Sequence, residues 1–222
     1  MRRFAGTLLL ITLAIGPAAA GADDLRAEFD RRYAAWKTSQ KQPQRSFFAS
    51  LMKELYDLIE LGRPALPYFI EKLEQAPEED YMLVFPVLYL TKKSLADEDI
   101  DKFIKMYGSR GSFVSARGYV HWWNVGRLKS SERFAKHYTA WKKAKQSGDK
   151  SAADMFYMDI WRMGLDVLPK VMDKIRQGDE ELIPIVSRWT SFQLKEGASL
   201  TECLAWWEAH GQEYRLPPPP KE

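Results

Sequence analysis

The 222-residue chain carries 33 Lys and Arg against 30 Asp and Glu, a formal charge of +3, with 45% apolar residues and one cysteine. So even a balance lacks the strongly basic footprint of a nucleic-acid binder, and the lone Cys203 excludes an intrachain disulfide. Eight Trp, ten Tyr and eleven Phe leave the packing of large apolar side chains as the source of stability.

The first elements are those of a secretory signal peptide over residues 1–22. Arg2 and Arg3 precede an apolar stretch from Gly6 to Ile15, Gly16-Pro17 breaks it, and Ala18-Ala19-Ala20 or Ala20-Gly21-Ala22 supplies small residues of the cleavage type before Asp23-Asp24. The apolar run falls short of the roughly 20 residues that span a bilayer. The remaining chain is expected to be exported across the inner membrane, periplasmic or extracellular and not membrane-spanning.

Helical periodicity then runs nearly throughout. Leu25, Phe29, Tyr33 and Trp36 form one stripe of a helix begun by Asp23 or Asp24 and ended by Pro43. Ser46 is placed to cap a second helix bearing Phe47, Leu51, Leu55, Leu58 and Ile59, with Gly62 at its end. Pro64 opens a third, in which Leu66, Phe69, Ile70 and Leu73 are the buried positions. A fourth, from about Asp80 to Lys93, is apolar on most sides, which predicts the centre of a stack, with a kink at Pro86. The order then returns: a helix capped by Ser131, helices over 152–163, 167–177 and 180–193, and a last one from Ser199 to about His210. No strand-like alternation or Asn-Gly hairpin signal interrupts them.

The chain is in fact written twice. Phe29, Tyr33, Ala35, Trp36 and Lys37 recur 105 positions on as Phe134, Tyr138, Ala140, Trp141 and Lys142. Asp57, Gly62, Leu66, Pro67 and Lys72 recur 102 positions on, and Asp80, Leu83, Val87 and Thr91 recur 99 positions on. A Trp pair closes each copy, Trp122-Trp123 and Trp206-Trp207. The expected fold is all-α, with two tandem copies of a multi-helix unit (23–130 and 131–212) stacked in one domain, followed by a Pro-rich tail over 213–222 that is expected to stay unpacked.

The turns Gly62-Arg63-Pro64-Ala65-Leu66-Pro67 and Gly164-Leu165-Asp166-Val167-Leu168-Pro169 resemble those of HEAT-type helical repeats, where a glycine ends one helix and an Ala-Leu-Pro-like stretch opens the next. The repeat here is longer than the usual HEAT unit of about 40 residues, and the arginine-containing second-helix signature is absent. The resemblance implies an α-solenoid scaffold that binds other molecules, and it carries over no catalytic residue.

Where the copies differ, the first has an insertion over 95–118. It holds an amphipathic stretch (Ile100, Phe103, Ile104, Tyr107) and a glycine- and serine-rich loop from Gly108 to Gly118. Loops on a rigid frame carry binding groups, and loops also merely connect. Lys102 to Lys150 adds twelve basic side chains against Glu132 and Asp149, a polarity that suits an anionic partner or pairs with the acidic flanks. The candidate binding residues are Arg110, Arg117, Arg127 and Lys129. No catalytic motif, metal-ligand spacing or cofactor signature accompanies them, and His121, His137 and His210 are scattered. The repeated tryptophans read as packing residues before sugar platforms, with one of each pair left partly exposed. Cys203 reads as a buried structural thiol.

The leading functional expectation is thus a non-catalytic scaffold for protein partners. The alternative is a binder of an anionic envelope glycolipid or polymer through the 102–150 segment, with a polysaccharide-acting enzyme as a lesser third. N-terminal sequencing of the exported protein is expected to begin at Gly21 or Asp23; an intact Met1 on a membrane-bound product overturns the signal-peptide reading.

Overall fold

A computed structural model describes residues 21–41, 47–95 and 112–218. Residues 1–20 of the expected signal peptide, Ser46, the 100–107 stretch and Arg110 lie outside the described residues. The fold is all-α. Among the described residues ten α-helices follow in order: α1 Ala22–Ser39, α2 Phe47–Ile59, α3 Leu66–Gln75, α4 Val84–Thr91, α5 Ser112–Asn124, α6 Ser130–Gln146, α7 Lys150–Arg162, α8 Leu168–Arg176, α9 Ile183–Trp189 and α10 Leu200–His210. No strand occurs among the described residues, and no described helix is long and apolar enough to cross a membrane.

Short 3₁₀ turns precede α3, α4, α6, α8 and α9 and set where those helices begin. They place Pro67, Pro169 and Pro184 in the first turn, where the missing N–H costs nothing. The same reason removes the kink expected at Pro86. The helix starts at Val84 after a 3₁₀ turn over Tyr81–Leu83, so Pro86 also falls in the first turn. Ser131 does not cap α6, whose cap position is Lys129. Asp149 caps α7 by accepting from Ala152 N, and Ser199 forms a capping box with Glu202 on α10. The segment from Ser112 to Gly118, read as loop, is the first half of α5.

Buried apolar side chains form two clusters. One gathers Phe29, Trp36, Leu58, Phe69, Val87 and Trp122 with their neighbours; the other gathers Phe134, Trp141, Ile160, Met172, Val186 and Trp207. Each cluster is tied by the same polar clamp. Tyr33 Oη donates to Asp80 at 2.5 Å and Lys37 Nζ donates to it at 2.7 Å, while Lys72 Nζ lies 4.9 Å from the Tyr33 ring centroid. Tyr138 and Lys142 both donate to Asp179, and Lys174 Nζ lies 4.8 Å from the Tyr138 ring. Burial and the adjacent carboxylate push both phenols above their ordinary range. Burial opposes ionisation of Asp179, but the bonds from Lys142 and Tyr138 prevail and hold its carboxyl below the usual range. α5 packs on α3, and α10 packs on α8.

Trp122 and Trp123 are both buried, whereas Trp206 alone of its pair is half-exposed. The Arg127 guanidinium, 4.2 Å over the Trp123 ring, closes the face that helical geometry alone leaves open. Cys203 is fully buried, and burial pushes its thiol up to about 11. The described part of the tail is packed: Tyr214 is buried, Leu216 touches both clusters, and Pro217 O accepts from Arg127 Nη2 at 2.6 Å.

The two clusters meet at a close backbone seam. Ser94 N donates to Arg162 O at 2.9 Å, and Gly164, at φ +70°, lies so near that a Cβ there would stand 2.5 Å from Thr91 O and 2.6 Å from Lys93 N. Its counterpart Gly62, at φ +73°, would meet nothing closer than Pro64 Cδ at 3.6 Å. Gly62→Ala is therefore expected to cost about 1 kcal/mol, from backbone conformation alone. Gly164→Ala adds a clash with fixed backbone and is expected to cost about 3 kcal/mol or more. Urea denaturation of the two variants measures the difference, and equal costs would show that the seam yields freely.

Candidate functional site

An apolar groove of about 790 Å³ opens along this seam. α2 contributes Leu55, Tyr56 and Ile59. Leu55 and Leu58 turn into the core, which leaves Tyr56 on the groove side and exposed. α4 buries Pro86, Val87, Leu90 and Thr91, so Phe85, Leu88 and Tyr89 project the other way, with Phe85 55% and Tyr89 52% exposed. The all-round apolar character read as the centre of a stack thus belongs to a helix with one open side. Trp161 of α7 and Trp189 of α9 line the groove from the other half of the chain. Trp189 is buried and is fixed by donating Nε1–H to Trp161 O at 3.0 Å.

The polar groups are few. Lys92, Ser94 and Arg188 line the groove along with the two tyrosines, and among the described residues no carboxylate or histidine does. Lys92 closes α4 in the left-handed conformation, at φ 55°. Its ammonium lies 4.2 Å from the Tyr89 ring centroid. Burial, and then the neighbouring Arg63 cation, lower its pKa below the ordinary lysine value. Arg63 in turn donates to Leu90 O at 3.2 Å and to Glu213 O at 2.9 Å, and stacks 4.3 Å over Tyr214.

The candidate binding residues read from the sequence lie elsewhere and apart. Arg117 is half-buried on α5, and Lys129 is exposed before α6. Arg127 is buried: its Nε donates to Asp166 at 3.0 Å, and Ser130 donates to the other oxygen of that carboxylate. Arg127 is thus spent inside the fold. Lys142 and Lys145 are likewise taken up by Asp179 and Glu181, leaving Lys129, Lys136, Lys143 and Lys150 as the open cations of that segment among the described residues. The acidic-flank pairing thus accounts for part of the basic run.

A second, shallower cavity of about 420 Å³ brings Trp141 and Tyr157 together with Lys145 and Glu181. Trp141 is buried and offers no open face for a sugar ring. His137 stands 3.4 Å from Asp159, a pairing between α6 and α7 that sequence spacing does not reveal. Among the described residues no three His, Cys, Asp or Glu side chains are grouped to hold a metal. No protein family, curated protein or solved structure matches the chain.

Truncating Arg127 to Ala leaves the largely enclosed Asp166 carboxylate without its cation and with Ser130 as its remaining side-chain donor, and is expected to lower stability by about 3 kcal/mol. Lys129→Ala is expected to stay within about 0.5 kcal/mol. Thermal and urea unfolding compare the two, and a silent Arg127→Ala would return that residue to the candidate surface.

Proposed function

We propose that this chain is an exported, non-catalytic binding scaffold, built as two tandem copies of one helical unit in a HEAT-like arrangement, with the groove between them as its binding face. Three things support the tandem reading: the paired Tyr–Asp–Lys clamps, the Gly–Leu-Pro turns that open α3 and α8, and the closing Trp helices packed on α3 and α10's partner α8. Export is supported by the layout of the first 22 residues.

The observation that carries the binding reading is the exposed aromatic wall of Tyr56, Phe85 and Tyr89 facing Trp161 and Trp189. Contiguous apolar surface left open to water marks a binding face on a folded chain, and a concave apolar site with few polar groups is the form that ligand sites take. The groove offers apolar contact and positive charge. It is a better candidate than the 102–150 segment, where Arg127, Lys142 and Lys145 are engaged internally.

A photo-reactive phenylalanine analogue placed at Tyr89, and separately at Lys143 on the basic surface, tests this in the producing cell. Adducts are expected from position 89 and not from 143. Adducts from 143 alone would move the binding face to the basic surface.

A further inference from the structure

The geometry points to a single-chain anionic amphiphile, a fatty-acid carboxylate, as the ligand of the groove; this rests on the groove being the binding face. Charge is the first argument. Lys92 and Arg188 are the charged side chains that line it, and neither makes an ion pair among the described residues. Lys92 has the Tyr89 ring and the Arg63 cation for neighbours instead of a counter-ion. Like charges held together against an apolar wall are relieved by an anion that arrives with the ligand.

Shape is the second. A volume of about 790 Å³ lies in the 300–1,000 Å³ range of small-ligand clefts, whereas protein partners are met over broad and flatter surfaces of roughly 800 Å². The third argument is hydrogen bonding. An extended peptide laid here would bury amide groups against a wall whose neutral partners are Ser94 and the hydroxyls of Tyr56 and Tyr89. Methylenes ask for no partner, and a terminal carboxylate needs only the two cations. The chain of the ligand would lie along Phe85, Trp161 and Trp189, with its carboxylate at Lys92 and the exposed Arg188 adding positive charge to the same groove.

Dodecanoate titrated into the purified full chain, followed by tryptophan emission and by calorimetry, tests this. Saturable one-to-one binding is expected, about tenfold or more tighter than for dodecanol, with none for dodecylammonium. In the Lys92→Gln, Arg188→Gln double variant, dodecanoate is expected to fall to the dodecanol level. Phe85→Asp, at an exposed position, is expected to abolish both, with helical circular dichroism and melting unchanged. Equal affinity of the wild type for acid and alcohol, or full dodecanoate binding by the double variant, overturns the proposal. If dodecanoate fails but an acidic amphipathic helical peptide binds in a Phe85-dependent manner, the ligand class is refuted and the groove stands. If Phe85→Asp alters neither, both readings fall. Concentration-dependent dimerisation lost in Phe85→Asp, read by sedimentation, would assign the groove to a second copy instead.

Discussion

The close approach of two backbone segments, Thr91–Lys93 against Gly164, is the constraint on which the rest of the molecule depends. A side chain at position 164 would hold them apart, and the Ser94–Arg162 hydrogen bond could not form at its present length. That contact sets the separation of α4 from α7 and α9, and so the width of the groove. Lys92, between Thr91 and Lys93, ends α4 in a left-handed backbone conformation beside the groove, its N–H donating to Leu88 O. The seam and the groove are thus consequences of one packing event, reinforced by Tyr214 and Leu216, which lie against both halves.

Each cluster spends its polar groups in similar fashion. Asp80 is almost wholly buried, and a lysine and a phenol both donate to its carboxyl there, so its oxygens are not left without partners. Arg127 does the reverse, donating to Asp166 and to the Pro217 carbonyl, while Ser130 donates to the other oxygen of Asp166. These arrangements fix the angles between helices whose apolar stripes alone would allow sliding. They also explain why counting charges along 102–150 overstated its open surface: where a basic side chain points depends on partners 36 or more positions away, such as Glu181 for Lys145.

The helices, their order and most of the core were legible because they depend on neighbours within a few residues. The stripe Phe29–Tyr33–Trp36, the glycine stops and the Leu-Pro openings are local signals. What escaped was decided by 3₁₀ turns and by contacts between distant segments. A single 3₁₀ turn moved the start of α4 and turned Pro86 from an expected kink into an ordinary first-turn residue. Tyr56 and Phe85 fall on stripes indistinguishable from core, since nothing in their spacing tells which side another helix will cover. The groove could not be read from either half alone, because Trp161 and Trp189 lie about a hundred residues beyond its other wall. The packed tail was hidden for a related reason: Pro217 gives no sequence sign that its carbonyl meets Arg127.

The pairing of Lys92 and Arg63 beside low-dielectric aromatic walls has a kinetic consequence. Positive potential there is neither cancelled by a groove-lining carboxylate among the described residues nor fully dissipated in water, so field lines leave through the mouth of the groove. The reach of that field is set by the Debye length, about 8 Å at physiological ionic strength and several times longer in dilute media. On the proposed reading, an anionic ligand would be drawn toward the opening faster than diffusion alone would bring it, and its rate of capture would change with the saltiness of the surroundings even where the final affinity rests on apolar contact.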